Sequence, residues 1–199
     1  LPIYGDYFVL LNPNDEHRLM TRAHDRTQQR MKRLKSNRRQ QAYEGKKRGL
    51  ILLVNFKDVS FKQIHTLEVF KRQVNEENYQ NGAAIGSVHD YFMAQSNGRF
   101  DLTFDVKGVY NLSHNRAYYG GNVKIDGQDT DQRPGEMIAE ACKLAANDVN
   151  YKDYDWDGDG EVDQVYIIYP GKGEADGGEK ETIWPHEWNL WSSDYGRKL

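Results

Sequence analysis

The sequence predicts an α/β fold: a mixed, largely parallel sheet flanked by helices, preceded by a basic helical N-terminal connector. Three observations predict it. Residues 49–56 (GLILLVNF) and 164–169 (QVYIIY) are short, continuous apolar runs, the pattern of strands buried on both faces. Between them lie stretches with the 3.6-residue spacing of amphipathic helices, and such alternation packs helices against a sheet. Residues 17–41 hold nine Lys and Arg against one Asp, with no Gly or Pro to break a helix.

Composition narrows the field. A chain of 199 residues is one domain, with room for an appendage. Its net charge of −3 conceals an asymmetry, because the basic segment carries about +8 and the remainder about −11. No run approaches the eighteen or so apolar residues of a membrane helix, so no membrane partner is expected. No signal peptide opens the chain, but a cleaved leader would leave none, so this is no argument for the cytoplasm. Cys142 is the single cysteine, which excludes an internal disulfide and a thiolate zinc cluster.

Taken in order, residues 1–11 (LPIYGDYFVLL) read as a strand or the last piece of a preceding unit. In residues 17–41, Leu19, Ala23, Met31 and Leu34 form only a thin apolar line, which gives an exposed or loosely docked helix. A basic helix can neutralise phosphates. Here it lacks interleaved aromatics and any nucleic-acid motif, so a solvated connector is expected and nucleic acid is not. Residues 42–48 read as a boundary. Residues 50–56 form a central strand. Residues 64–79 form a helix with Leu67, Phe70 and Val74 on one face, broken at Asn81-Gly82. Residues 87–96 form another, with Ser87 as N-cap, Asp90 closing a capping box and Gly98 ending the helix. Residues 100–106 (FDLTFDV) alternate cleanly, as a strand near an edge with one wet face does.

Residues 110–131 are irregular, and Asn111-Leu-Ser113 is a formal glycosylation sequon of the kind that arises often by chance. Residues 134–149 form a helix with Pro134 in its first turn. Met137, Ile138, Ala141, Cys142, Leu144 and Ala145 make its apolar face, so Cys142 reads as a core residue and not a nucleophile. Residues 165–169 form a second central strand. A flexible acidic loop follows at 171–178, and then a Trp-rich segment at 182–190.

The densest chemistry lies in Asp155-Trp-Asp157-Gly158-Asp159-Gly160-Glu161-Val-Asp163. Asp155, Asp157, Asp159 and Asp163 occupy positions 1, 3, 5 and 9 of a D-x-D-x-D-G-x-x-D loop, with Gly160 at the sharp turn of position 6. Like charges this close repel unless a cation sits among them. Ca²⁺ takes six to eight oxygens and tolerates irregular geometry, and the backbone carbonyl of Glu161 at position 7 would be a further ligand. Position 12 is Tyr166, where an EF-hand has Glu, so this is a related loop and not an EF-hand. Calcium is the expected ion. A solvated acidic turn without an ion is the competing reading.

Several motifs now fall into a familiar order. Gly49-Leu-Ile-Leu-Leu-Val-Asn-Phe-Lys-Asp58 is followed by Gly86-Ser-Val-His-Asp-Tyr-Phe92 and by Ser96-x-Gly98-x-Phe100. Phe104-Asp-Val106, Tyr118-Tyr-Gly120, the Asp loop and Ile183-Trp-Pro-His186 come next. Over about residues 46–190 the chain resembles secreted M6-type metalloproteases, the immune inhibitor A-like peptidases. Residues 1–41, with Gly5-Asp-Tyr-Phe8, resemble the end of the propeptide in such precursors.

The resemblance implies the upper subdomain of a zincin-like metalloprotease and a secreted, monomeric zinc endopeptidase acting on proteins or peptides. It divides the chain into a propeptide tail and connector (1–45) and the sheet part of the peptidase domain (46–199). It also implies an H-E-x-x-H helix, whose two His bind zinc while the Glu serves as general base. This sequence has none: Leu190 stands where a second His would follow His186-Glu187. The expectation is therefore an N-terminal portion without catalytic residues of its own, inactive alone, with zinc bound only in a missing C-terminal part. The five other His have no ligand spacing and read as surface or satisfied residues. Two alternatives stay open, a non-enzymatic calcium-stapled binding module and a catalytically dead relative.

Overall fold

Five consecutive residues of one strand, Leu50 to Val54, are at most 4% exposed, and the fold is arranged around them. In the computed structural model, which describes residues 43–125, 128–158, 160–185, 187 and 190, this strand is β1 (Gly45–Asn55). The expected strand at 1–11 and basic helix at 17–41 lie outside the described residues. A strand points successive side chains to opposite faces. Leu50, Leu52 and Val54 accordingly enter one core cluster and Ile51 and Leu53 the other. Covering both faces is what makes the run apolar without alternation.

On one face lie helices α1 (Leu67–Asn75) and α2 (Val88–Gln95), whose Leu67, Phe70, Val74 and Phe92 pack with Ile51 and Leu53. Strand β4 (Phe100–Asn111) adds Phe100, Leu102, Phe104 and Val106 to that cluster, while Thr103 stays exposed, so the expected alternation holds. On the other face α4 (Pro134–Ala145) contributes Met137, Ala141, Cys142 and Ala145, joined by Tyr119 of the short α3 (Arg116–Gly120).

The sheet order is β4-β1-β7, with both pairings parallel; β7 is Val165–Ile168. Two antiparallel hairpins stand apart: β2 (Gln80–Asn81) with β3 (Ala84–Ile85), and β5 (Asn122–Ile125) with β6 (Gln128–Asp131). The central place of β1 and the outer place of β4 are as expected. Strand β7 is not central: among the described residues it pairs with β1 alone, its side chains are half-buried, and Tyr166 is 39% exposed. Val165 and Ile167 reach one core cluster and Ile168 the other, so the run is apolar although the strand sits at the described edge.

Helix ends follow local chemistry. In α2 the Ser87 hydroxyl accepts the Asp90 N–H and the Asp90 carboxylate accepts the Ser87 N–H, the expected capping box. Its C-terminus departs slightly from expectation. Asn97 (φ 53°) takes the left-handed position, and Gly98 follows with its N–H donated to Met93 O at 2.8 Å. Helix α1 is shorter than its expected 64–79, because Thr66 caps its start and the backbone leaves helical geometry at Glu76. Asn75 closes α1 against the outer strand, donating to Phe104 O (2.9 Å) and accepting the Phe104 N–H (2.7 Å). Helix α4 ends at Ala145, before the expected Val149, and Leu144 is 41% exposed instead of facing the core. Strand β4 runs past Val106 through a bulge opposite Leu53/Val54. There Gly108 has φ 114°, and a Cβ would lie 2.5 Å from Leu53 O, so glycine is required.

Candidate metal centre

The acidic loop hangs from β1 by its second residue. Trp156 is 9% exposed, donates its indole N–H to Arg48 O (2.7 Å), and accepts Lys47 Nζ on its carbonyl (2.9 Å). Its ring stands edge-on to Phe100 and Tyr43. Just before it the 3₁₀ turn Tyr151–Tyr154 buries Tyr154, whose hydroxyl donates to Asp105 Oδ2 at 2.8 Å. Trp156 points into the packed side of the sheet, while Asp155 and Asp157 on either side of it are only half-buried.

The carboxylates organise the turn. Asp155 accepts the Gly158 N–H on Oδ1 and the Gly160 N–H on Oδ2, both at 2.8 Å. Gly158 and Gly160 have φ of 73° and 90°, with open space where a Cβ would sit, so conformation and not crowding selects glycine. Asp163 accepts the Trp156 N–H at 2.5 Å and donates its own N–H to Tyr154 O at 3.1 Å, which closes the loop before β7 begins.

One carboxylate oxygen from each of Asp155, Asp157 and Asp163 lies within 4.8 Å of the others. Among the described residues this is the group of three or more His, Cys, Asp or Glu able to share an ion. The structure thus brings together three of the predicted ligands. The side chain of Glu161 is not in the group, as suits a residue expected to ligate through its backbone carbonyl, and Asp159 lies outside the described residues. The donor set is all oxygen, which suits hard cations of the Ca²⁺ or Mg²⁺ kind.

The other candidates resolve simply. Cys142 is 4% exposed, and burial pushes its thiol up to about 11, so it is packing and not a nucleophile. His89 pairs with Asp101 at 2.9 Å, and His114 stacks on Tyr118 with ring centroids 3.9 Å apart. The loop expected to be flexible at 171–178 is held in place: Asn122 donates to Glu174 at 3.0 Å, and the Gly178 N–H donates to Gly173 O at 3.0 Å.

Sequence reasoning missed Asp131. It closes β6, is 6% exposed, and accepts the Trp184 N–H at 2.9 Å. Burial, aided by the Glu174 carboxylate and opposed by the Trp184 N–H, pushes its carboxyl up to about 7. The stretch Gln-Asp-Thr-Asp reads as a polar loop, and nothing in it separates Asp131 from the exposed Asp129.

Comparison with known proteins decides the family. The family model for the catalytic domain of the immune inhibitor A peptidase M6 matches residues 37–198. This chain belongs to the M6 peptidase family. The pre-pro-metalloprotease PrtV of Vibrio cholerae serotype O1 (strain M66-2) is 31% identical over 128 residues, covering 55% of this chain and 14% of that protein. Immune inhibitor A of Bacillus thuringiensis subsp. alesti is 25% identical over 187 residues, covering 76% of this chain and 27% of that protein. The chain therefore spans about a seventh to a quarter of the length of these relatives.

M6 membership implies zinc, and the residues here do not fit it. Zinc sites are built from His, Cys and carboxylate ligands in tetrahedral sets. The metal group among the described residues contains no His, and no H-E-x-x-H occurs anywhere in the 199-residue sequence. The observed carboxylate group is an all-oxygen donor set of a different kind. No described helix is long and apolar enough to cross a membrane.

Proposed function

We propose that this chain is the sheet-bearing N-terminal part of a secreted, zinc-dependent metalloendopeptidase, stapled by calcium and inactive by itself. The observation that carries this reading is the match to the M6 catalytic domain over residues 37–198. In this reading residues 1–45 are the propeptide tail and connector, and 46–199 the truncated peptidase domain. Its substrates are proteins or peptides reached through the full-length enzyme, which works as a monomer outside the cell. Peptide-bond chemistry is assigned to an H-E-x-x-H helix elsewhere in the full-length protein, and no residue of this chain carries a catalytic step.

The role of this part is architectural. The buried β1 and its two parallel neighbours make a stiff platform. Calcium would be held by the carboxylates of Asp155, Asp157, Asp159 and Asp163 and the backbone carbonyl of Glu161. Bound there, it neutralises charges that otherwise repel and fixes the start of β7 against β1, because the same loop is bolted to β1 through Trp156. A staple of this type supports a cleft without entering the reaction. Hydrolysis of a denatured protein by the full-length enzyme tests the reading. The expected result is activity that a chelator abolishes and zinc restores. Activity insensitive to chelation would overturn it.

A further inference from the structure

A buried carboxylate outside the metal loop joins two elements that the sequence leaves unconnected. The segment 171–185 lies over the β5–β6 hairpin and is tied to it at three points. Asn122 donates to Glu174 (3.0 Å), Lys180 reaches Asp129 (3.4 Å), and the Trp184 N–H donates to Asp131 Oδ2 (2.9 Å). Beside the third tie, the Tyr169 hydroxyl donates to Ile183 O at 3.0 Å, and Thr182 and Ile183 are 1% and 2% exposed. Asp131 Oδ1 is buried and has no hydrogen-bond partner among the described residues.

One N–H donor is a poor substitute for water around a carboxylate. Burying an ionised group is costly unless it is paired and fully hydrogen-bonded. The charged group that acts on Asp131 is Glu174, another carboxylate, which makes ionisation worse. The other titratable neighbour is Tyr169, a neutral phenol whose own ionisation burial and Asp131 oppose. Arg116 acts on Tyr169, and its guanidinium lies at Gly171. A cation could neutralise the site instead of a proton. It would need several further oxygens, and no group of three ligating side chains among the described residues includes Asp131.

We propose that Asp131 is a pH-sensitive latch: with a proton it holds the 171–185 segment shut over the hairpin, and on ionisation it loosens that segment at Trp184. The proposal is independent of the metal reading. The direction follows from where the proton sits. Closed, the carboxyl is held up to about 7. Opened to water it titrates near the usual value of about 3.9. Between these limits the closed form binds one more proton than the open form. Latching is therefore complete below about pH 4, weakens by about tenfold per pH unit up to about pH 7, and changes little above that.

Hydrogen exchange of the 199-residue chain between pH 4 and 8, corrected for intrinsic rates, reads the latch at the Trp184 amide. The expected protection falls by about tenfold per pH unit between pH 4 and 7 and then levels off. In Asp131→Asn, which keeps an oxygen for the Trp184 N–H but cannot ionise, protection should not vary with pH. In Glu174→Gln, which removes the repelling carboxylate, the levelling-off should move to lower pH. This second variant carries the test if Asp131→Asn fails to fold. Protection that is flat with pH in the parent chain, an equal slope in Asp131→Asn, or an unmoved profile in Glu174→Gln would each overturn the latch. A loss of protection on adding chelator at fixed pH that persists in Asp157→Ala, where the acidic loop has lost a central carboxylate, would show a cation at Asp131 instead of a proton, and would overturn it equally.

Discussion

Replacing Asp157 with Ala should cost little stability without calcium and remove more than half of the gain from calcium, and the size of each can be worked from the loop. One oxygen each of Asp155, Asp157 and Asp163 lies within 4.8 Å of the others. At that separation two unit charges repel by about 0.9 kcal/mol at the dielectric of water, and by about 3.5 kcal/mol at an effective constant of 20. These carboxylates are half-buried at the surface, so the lower figure is the better guide. Removing Asp157 relieves two such repulsions, about 2 kcal/mol at low salt, and less at physiological ionic strength, where the Debye length is about 8 Å. In chelator this relief offsets the contacts that Asp157 itself makes, so the variant should melt close to the parent temperature. Calcium at about a hundredfold excess over Kd should stabilise the parent by about 2.7 kcal/mol. For a chain of this size that raises Tm by about 5–11 °C. The variant has lost a central ligand and should gain less than half of that. Thermal melting followed by circular dichroism, in chelator and in calcium, measures both arms. An equal calcium response in the two proteins would refute the site. So would an equal loss of stability with and without calcium, since that pattern belongs to a residue with a purely structural role.

Three further outcomes follow from particular contacts. Trp156→Ala removes a nearly buried indole and its bond to Arg48 O, so it should cost about 3–5 kcal/mol in urea unfolding and also blunt the calcium response; a loss below about 1 kcal/mol would mean the loop is not bolted to β1. Ser87→Ala breaks the capping box and should cost about 1 kcal/mol by the same assay, with no change in calcium response. Brief trypsin treatment should cut first between Arg18 and Arg39, where Arg and Lys are densest, and spare β1, in which Lys47 is held on Trp156 O; N-terminal sequencing that finds first cuts inside 50–106 would show the proposed boundary near residue 45 to be misplaced.

What could be read from the chain itself depended on whether the deciding interactions were local. The capping box at Ser87 and Asp90 lies within four residues, and the structure contains both of its hydrogen bonds. Strand β1 was legible because a continuous apolar run with no polar face has few other ways to be buried. The same logic failed for β7. An apolar run reports that side chains are covered, but not how many strands lie beside it, and Tyr166 can sit half out of the sheet without disturbing the pattern. In the metal loop, spacing alone predicted that Asp155, Asp157 and Asp163 converge. The anchoring of that loop was not legible, because Trp156 finds its partner at Arg48, 108 residues away in the chain. Asp131 was invisible for the same reason, since the N–H that its carboxylate accepts belongs to Trp184, 53 residues on.

This chain is proposed to build and staple the platform of an M6 peptidase and to perform none of its chemistry. The most direct measurement is hydrolysis of a denatured protein by the purified 199-residue chain, with zinc and calcium added and a chelator control. The account predicts no cleavage above the blank under any of these conditions, from a chain that is folded and melts at a higher temperature in calcium. Zinc-dependent, chelator-sensitive cleavage by this chain alone would contradict it.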